Sequence, residues 1–352
     1  MNPVYTIVSG YSAEGFANKP IATGPFKVVT YDAKKGVSLV KHEKYWRGKV
    51  GIDKIDGLLM KDGSARAMAM QSGELQLTTQ LSHADLEMLE KSGKFNVQKG
   101  PNVRIFMARF NLEKEYMKNP EFRKALVHAT NKDAIVKDVV KGFVAKGPFP
   151  PTFDFAYKGE ETYGYDAEKA KKILDAAKII DGDGDGIREY NGKNIVLEFY
   201  ARTGHGANAK NSGIAMQSML KKVGIGMKIN QVKSFGDILK KGDYDIVWER
   251  WTAAPTLDPL YFLQSSFGKD ATGNRSGYSN PEYNKTIMNL RKESDKTKRN
   301  ELAQKAISIL LNDAPAMFIY HGLGSIVTSK NVDGIYRFPT EIIYIDHRTQ
   351  IK

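Results

Sequence analysis

The apolar and polar positions of residues 21–100 predict a strand-rich region that contains one helix. Phe26–Tyr31 and Val37–Val40 alternate as the two strands of a hairpin do, and Asp32–Gly36 supplies the residues of the turn. A third strand is expected near Ile55–Met60. This region is therefore predicted to be mixed α/β.

The helix of this region is predicted to end at Gly73, which can take the left-handed conformation that closes a helix. Asp62 or Ser64 can accept hydrogen bonds from the free N–H groups of its first turn. Met68 and Ala69 are expected on its buried side.

Helical patterns dominate the middle of the chain and its last third. Asn119 and Pro120 predict a helix start, because asparagine is a favoured cap and proline loses no hydrogen bond at the first helical position. Asp295 is expected to cap a last long helix. Ala316–Tyr320 and Gly324–Thr328 then follow as two predicted strands.

Strand and helix patterns alternate between residues 195 and 250, as a parallel sheet requires. The predicted elements are the strand Ile195–Tyr200, a helix that ends at Gly224, the strand Met227–Val232, the short helix Phe235–Leu239 and the strand Tyr244–Arg250. This βαβαβ block places the chain in the α/β class.

The composition is that of a globular protein long enough for two domains. The chain has 352 residues, of which 41% are hydrophobic and 26% charged, and it contains no cysteine. Thiolate nucleophiles and thiolate metal sites are thereby excluded. No apolar stretch approaches the ~20 residues of a membrane-spanning helix. Residues 1–5 lack the basic and apolar parts of a signal peptide, so a mature, trimmed or cytoplasmic chain is expected.

The net charge of +13, from 53 basic and 40 acidic residues, raises nucleic acid and anionic membranes as partners. The basic residues are scattered in pairs among acidic ones, however, and the sequence has no basic arm. Binding to a nucleic-acid backbone needs charges clustered on one face. Nucleic-acid binding is therefore not expected.

Motifs of catalysis are missing from the sequence. None of the six histidines belongs to a His-Glu-x-x-His pair, and there is no Gly-x-Ser-x-Gly, Walker or Gly-x-Gly-x-x-Gly motif. We therefore predict a protein without catalytic activity. The alternative of a different class is a calcium-dependent hydrolase whose carboxylates meet only in the fold.

An Asp-rich loop offers candidate ligands for a calcium ion. Carboxylates stand at positions 1, 3, 5 and 9 of the calcium-loop pattern and a backbone carbonyl at position 7: Asp181, Asp183, Asp185, Glu189 and Ile187. Position 12, where the pattern has a glutamate, is Gly192. A polar turn without metal explains the same residues. A structural calcium is therefore one of two interpretations.

Two tryptophans and an arginine lie at the end of the last strand of the βαβαβ block. Trp248, Arg250 and Trp251 precede a loop bounded by Pro255 and Pro259. Open α/β sheets bind ligands at the carboxyl ends of their parallel strands. Arginine pairs with anions and tryptophan stacks on flat groups, so this end predicts a site for a small anionic or chelated ligand. The two tryptophans are three positions apart and cannot face the same side, so one is expected to face the ligand.

Short motifs from about Pro20 to the C terminus point to one family. They are Thr23–Phe26 with Tyr45–Lys49, Arg66–Glu74, Phe122–Leu126 with Asn131 and Lys132, Asp183–Arg188, and Asp258–Pro259 with Phe262 and Leu263. In these motifs the chain resembles the peptide/nickel family of extracytoplasmic solute-binding proteins, which feed ABC importers. Only 22 residues precede the first motif, so the chain looks like the C-terminal two-thirds of such a protein.

The resemblance implies a type II periplasmic-binding-protein fold, with two lobes of mixed sheets flanked by helices and joined by crossing strands. One lobe, incomplete, would contain residues 1–110 and 320–352, and the other residues 111–319, with the βαβαβ block at 195–250. It also implies an extracytoplasmic monomer that captures its ligand between the lobes and delivers it to the permease subunits of an ABC importer. No cofactor would be required.

Within the family, the chain looks most like the nickel-chelate branch, and a receptor for dipeptides or oligopeptides is the alternative. The implied ligand-binding residues are Trp248, Arg250, Trp251, Thr252, Thr256 and Asp258. Arg250 would take the place of the branch's strand arginine, and Trp251 or Thr252 that of its stacking tryptophan. In a peptide binder, Asp258 would hold the amino terminus of the ligand. Residues 265–278, where nickel binders have a histidine, contain none, so nickel would be held as a preformed chelate.

Overall fold

The structure is a computed structural model that describes residues 22–160, 162–341 and 345–352. The chain divides into two compact units. Unit 1 consists of Met1–Asn102 and Leu323–Lys352, and unit 2 of Val103–Gly322.

Unit 1 contains a small antiparallel sheet and two helices among its described residues. Its elements are β1 (Phe26–Asp32), β2 (Gly36–Lys41), β3 (Lys54–Leu58), α1 (Gly63–Ser72), β4 (Leu77–Thr79), α2 (His83–Lys91), the first part of β5 (Phe95–Phe110), the second part of β12 (Ala316–Ser329), β13 (Val332–Asp333) and β14 (Gln350–Ile351). Strands β1, β2 and β3 form one antiparallel sheet, and β4 pairs with β12.

The predicted hairpin and helix of unit 1 are confirmed, but the region contains a second helix, α2, that was not predicted. β1 and β2 pair in antiparallel register. Asp62 caps α1 by accepting a backbone N–H at 2.7 Å, and Gly73 ends it with a φ of 81°. The expectation for Met68 is wrong, because this side chain is 60% exposed. The buried stripe of α1 passes through Ala67 and Met70, which pack with the apolar side of α2.

Unit 2 is built on a sheet that carries helices. Its elements are the second part of β5, α3 (Glu115–Lys118), α4 (Pro120–Ala129), α5 (Lys132–Ala134), a π-helical segment (Ile135–Val140), β6 (Phe143–Val144), α6 (Ala167–Ala176), β7 (Glu189–Tyr190), β8 (Lys193–Asn194), β9 (Val196–Arg202), a 3₁₀ turn (Thr203–His205), α7 (Ala207–Lys221), β10 (Gly226–Val232), α8 (Gly236–Lys241), β11 (Ile246–Thr252), α9 (Leu260–Phe267), α10 (Pro281–Lys292), α11 (Lys296–Asp313) and the first part of β12. The strand order is β10-β9-β11-β5-β12.

The predicted βαβαβ block is present in unit 2. β10 and β11 both pair in parallel with β9, while β11 pairs with β5 in antiparallel register. Parallel neighbours need crossover helices, here α7 and α8, which run back against the strands. The carboxyl ends of β9, β10 and β11 therefore lie along one edge of the sheet, which we call the carboxyl edge. Helices α7 and α8 end at the opposite edge.

Separate apolar clusters cover the two faces of the unit 2 sheet. The first contains Phe199 and Trp248 together with the buried stripe of α7. The second contains Phe262 and Phe267 of α9 together with Ile105 of β5. Each fully buried side chain of this size contributes ~1.5–3 kcal/mol. The alternate residues of β11 and β5 therefore enter two different environments.

The strands β5 and β12 contain the points at which the two units divide. The sequence-based divisions, after residue 110 and before residue 320, lie at the end of β5 and inside β12. The two predicted strands Ala316–Tyr320 and Gly324–Thr328 are one continuous strand, because Gly322, which lies between them, is part of β12 and not of a turn. Among the described residues, no helix is both long and apolar enough to cross a bilayer.

Candidate functional site

The candidate site is built on β11, whose residues alternate between the two faces of the sheet. Trp248, Arg250 and Thr252 share one face, and Glu249 and Trp251 share the other. The antiparallel register with β5 places Arg250 opposite Phe106, and directly opposite residues lie on the same face. The predicted ligand residues are thus divided between two faces.

Trp248 belongs to the hydrophobic core. Its side chain is fully buried, and its ring centroid lies 6.3 Å from that of Phe199 and 6.2 Å from that of Tyr320. Tyr320 in turn stacks on Phe106 with 4.2 Å between ring centroids and 6° between ring planes. The structure thus puts the indole of Trp248 within a packed row of aromatic rings, and its contact with a ligand stays a prediction.

Arg250 is exposed on the same face as this aromatic row, two residues closer to the carboxyl edge. No carboxylate among the described residues forms an ion pair with its guanidinium. Arg250 lies opposite Phe106 in the register of β11 and β5, and Phe106 stacks on Tyr320. Burial raises the pKa of Tyr320, and the positive charge of Arg250 acts in the opposite direction. Arg250 thus offers free N–H donors beside the stacked rings of Phe106 and Tyr320.

The other face of β11 holds a buried ion-pair cluster. Glu249, 1% exposed, accepts hydrogen bonds from Arg109 at 2.5 Å and from Arg275 at 2.6 Å. Arg109 is fully buried, donates to the Ser266 carbonyl at 3.0 Å and lies 4.3 Å from the ring centre of Phe267. Because each buried charge needs a partner, this cluster fixes β11 against β5 and α9.

Trp251 lies on the side of this ion-pair cluster. Its indole N–H donates to Glu249 at 3.3 Å, and its ring meets Phe262 edge-on at 5.8 Å between centroids. The side chain is half-buried, whereas that of the following Thr252 is exposed. Trp251 and Arg250 therefore do not converge on one surface of the sheet, and a role of Trp251 or Thr252 toward a ligand stays a prediction.

The loop after β11 holds the last two predicted ligand residues. Asp258 accepts the backbone N–H of Leu260 at 2.9 Å and pairs with Arg299 at 2.6 Å. It therefore stabilises the start of α9, and its role toward a ligand's amino group stays a prediction. Thr256 is half-buried beside Leu257, whose φ is 58°.

His205, which ends the 3₁₀ turn after β9 at the carboxyl edge, was not among the predicted site residues. Its pKa lies below the usual range, because burial first, and then the positive charges of Arg250 and Arg202, disfavour the imidazolium. Its Nδ1 atom is buried without a hydrogen-bond partner among the described residues. His205 could have been found from the sequence by its position directly after the first strand of a parallel pair.

The Asp-rich loop keeps the geometry of a possible cation site. Carboxylate oxygens of Asp181, Asp183 and Asp185 lie within 4.8 Å of one another, and all three residues are exposed. The Asp181 carboxylate accepts two backbone N–H groups of the loop, at 2.7 and 2.9 Å, and Glu189 accepts the Gly182 N–H at 2.9 Å. These oxygens suit a hard cation such as calcium, but they also complete a polar turn, so the calcium site, including Ile187, stays a prediction.

Comparison with known families gives a clear result. The family model described as "Bacterial extracellular solute-binding proteins, family 5 Middle" matches residues 1–274 of the 352. The chain belongs to this family. Family 5 consists of solute-binding proteins rather than enzymes, and the predicted membership is confirmed.

Curated relatives cover most of this family 5 chain. The oligopeptide-binding protein OppA of Bacillus subtilis (strain 168) is 28% identical over 342 residues, which are 92% of this chain and 60% of the relative. The dipeptide-binding protein of Escherichia coli (strain K12) is 28% identical over 327 residues, which are 90% of this chain and 58% of the relative. The chain thus spans no more than 60% of the length of these two relatives.

A solved structure confirms the predicted fold class. The crystal structure of a nickel ABC transporter from Bacillus halodurans matches this chain with a TM-score of 0.86 at 22% identity, over 98% of this chain and 72% of that one. The family 5 chain therefore has the fold of a type II periplasmic binding protein. A likeness at this level of identity establishes the fold and leaves the ligand open.

Proposed function

We propose that this chain is the solute-binding component of an ABC importer, which captures a small polar ligand outside the cytoplasm and delivers it to permease subunits in the membrane. Family membership supports the binding role. The observation that carries the proposal is the exposed guanidinium of Arg250, which has no ion-pair partner among the described residues and lies beside the stacked rings of Phe106 and Tyr320.

The chemistry of this group defines the ligand it can hold. A guanidinium presents several N–H donors in one plane and pairs with carboxylates in two-point contacts. Aromatic rings beside it exclude water, which strengthens the pairing, and they pack against flat or apolar parts of a ligand. The site therefore suits a small molecule that carries a carboxylate. It does not assemble the nucleophile and base of a hydrolase, and we propose binding without catalysis.

A nickel chelate is the first candidate ligand and a short peptide the second. The nickel ABC transporter whose structure matches this chain supports the first, and relatives named for oligopeptide and dipeptide binding support the second. Both ligands expose carboxylates that Arg250 can bind. A preformed chelate needs no metal ligand from residues 265–278, which contain no histidine. A monomeric state and the lack of nucleic-acid binding remain predictions.

The proposal is tested by calorimetric titration of the chain after chelator treatment. Nickel alone, nickel with histidine, and a pool of dipeptides to pentapeptides are added in separate runs. We expect saturable heat with nickel and histidine together and none with nickel alone. If only the peptide pool gives heat of binding, the proposed ligand is a short peptide and not a nickel chelate.

A matched variant checks where the ligand binds. Arg250→Gln removes the charge at the candidate site, whereas Lys240→Gln removes an exposed charge near the end of α8, at the opposite edge of the sheet. The first should weaken binding and the second should not. If a folded sample gives no heat of binding with any of these ligands, the proposed function is contradicted.

A further inference from the structure

The segment between β2 and β3 in unit 1, residues 42–53, holds a tryptophan in solvent, and we call it the Trp46 loop. Trp46 is 70% exposed, whereas Trp248 is fully buried and Trp251 half-buried. The exposed indole is fixed in place, because its N–H donates to the Thr23 carbonyl at 3.0 Å. Tryptophan stabilises a fold most where its large ring is buried. An indole that is held in solvent by its own hydrogen bond therefore does not serve the core.

Hydrogen bonds and ring packing fix the shape of the Trp46 loop. The N–H of Lys41 donates to the carbonyl of Asp53 at 2.9 Å across the base of the loop, and the N–H of Tyr45 donates to the carbonyl of His42 at 3.0 Å inside it. The ring of Tyr45 packs on that of His347, with 5.5 Å between centroids. A loop that is fixed in this way loses little conformational entropy when it meets a partner.

Three cations accompany the exposed tryptophan. Lys44, Arg47 and Lys49 are exposed, and none of them forms an ion pair with a carboxylate in the part of the chain that the structure describes. The guanidinium carbon of Arg47 lies 4.9 Å from the centre of the Trp46 ring. All three cations are within three positions of Trp46 in the chain, so their Cα atoms are at most about 11 Å from its own. Chain connectivity therefore keeps these charges beside the indole.

The carboxylates of the Trp46 loop do not neutralise these cations. Glu43 and Asp53 both pair with Lys41, at 3.3 and 2.8 Å. The pKa of Asp53 lies below its usual range because of its hydrogen bond to Lys41, and the charge of Lys49 adds to this effect. Lys41 and the loop together have four cations and two carboxylates, which leaves a net charge of +2.

We propose that the Trp46 loop is a contact site for an anionic lipid surface. Indole rings favour the boundary between lipid headgroups and water, where the ring meets apolar groups and the N–H keeps a polar partner. Lysine and arginine side chains near such a surface are attracted to the lipid phosphates, and each one adds to the binding. The exposed ring and the excess of cations complement these two layers of a membrane. This inference goes beyond the proposed function, since it concerns the surface on which the protein rests and not the solute.

The binding of the intact chain to lipid vesicles tests this proposal. Vesicles of phosphatidylglycerol and phosphatidylcholine in equal parts are compared with vesicles of phosphatidylcholine alone, at low and at physiological salt, and the bound protein is measured by co-sedimentation. We expect the anionic vesicles to bind the chain ~10-fold more tightly or better, with a preference that shrinks as salt rises. Brominated lipids should quench the emission of Trp46, which is measured as the difference between the wild type and Trp46→Phe.

Single substitutions locate the contact. Trp46→Ser, Lys44→Gln and Lys49→Gln should each weaken binding to the anionic vesicles by ~3-fold or more. Lys34→Gln is the matched control, because Lys34 is an exposed lysine in the turn between β1 and β2, at the opposite end of β2 from the Trp46 loop. This control should bind as the wild type does. If circular dichroism shows that Trp46→Ser does not fold, the two lysine variants, which keep the packing of the loop, decide the test.

The outcomes separate this inference from the proposed function. Equal binding to anionic and neutral vesicles, or binding to neither, would overturn the lipid contact. A preference for anionic vesicles that survives in the folded variants of Trp46, Lys44 and Lys49 would overturn its assignment to the Trp46 loop. Calorimetric titration of the same variants with nickel and histidine and with the peptide pool should match the wild type, so a failed lipid contact leaves the solute-binding function in place.

Discussion

Two arginines on opposite faces of the same sheet have opposite surroundings. Arg109 is fully buried and meets Glu249, Ser266 and the ring of Phe267. Arg250 is exposed and has no ion-pair partner among the described residues, although it lies next to Glu249 in the chain. The described residues complete the contacts of Arg109 and leave those of Arg250 open.

This difference separates a structural charge from one that is available to a ligand. Burial of an ion is costly, so a buried guanidinium is kept only where the fold supplies a carboxylate and hydrogen-bond acceptors. An exposed guanidinium stays hydrated and can exchange its water for an anion. Residue type alone does not distinguish the two cases, since both arginines lie on strands of the same sheet.

The largest expected effect comes from removing the carboxylate that neutralises the buried Arg109. Glu249→Ala leaves Arg109 buried without its charge partner, so we expect a loss of about 3–5 kcal/mol in the free energy of unfolding. Denaturant unfolding followed by circular dichroism measures this loss. The matched control is Glu168→Ala, which removes the carboxylate of an exposed pair with Lys171 at 2.9 Å.

The control should cost at most about 1 kcal/mol, because exposed ion pairs contribute little. Equal losses in Glu249→Ala and Glu168→Ala would mean that the buried cluster does not hold the sheet together. The contrast between the two arginines would then have no energetic basis.

Calcium should stabilise the exposed acidic loop if the predicted cation site exists. A ligand at 100 times its dissociation constant stabilises the folded state by about 2.7 kcal/mol, which raises the melting temperature of a chain of this size by several degrees. Differential scanning calorimetry with calcium and with chelator measures the shift. It should vanish in Asp183→Asn and persist in Asp237→Asn, whose side chain lies outside the loop.

Magnesium is a further control, since it fits such loops less well than calcium does. If calcium leaves the melting temperature unchanged, the loop is a polar turn that binds no calcium.

A smaller effect is expected from Asp258→Asn, which tests whether this residue serves the fold or the ligand. The substitution weakens the ion pair with Arg299 and keeps an acceptor for the N–H of Leu260, so we expect a loss of about 1 kcal/mol or less in the free energy of unfolding. Affinity for a peptide that the wild type binds should stay within 2-fold in calorimetry. A loss of affinity of 10-fold or more would identify Asp258 as a ligand residue.

Local patterns in the sequence are sufficient to predict much of unit 2. The Asn119-Pro120 start of α4 and the βαβαβ block depend on caps, periodicity and turn residues within a few positions of one another. The exposed end of β11 follows from the same block. Alternation along the strand also shows that Trp248 and Trp251 face opposite sides.

The partners of the β11 side chains could not be predicted, because they come from distant parts of the chain. Glu249 meets Arg109, 140 positions earlier, and Arg275, 26 positions later. Tyr320, which packs with Trp248, is supplied by β12. These contacts decide which side chains of β11 are enclosed by the protein, and the local sequence pattern does not contain them.

The most direct test of the contrast between Arg109 and Arg250 is one variant, Arg250→Ala. Its free energy of unfolding and its affinity for the ligand that the wild type binds are both measured. We predict a free energy of unfolding within about 0.5 kcal/mol of the wild type, since an exposed side chain without an ion-pair partner contributes little to stability. We predict an affinity lower by ~10-fold or more, equivalent to about 1.4 kcal/mol. A destabilised variant with unchanged affinity would show that Arg250, like Arg109, serves the fold rather than the ligand.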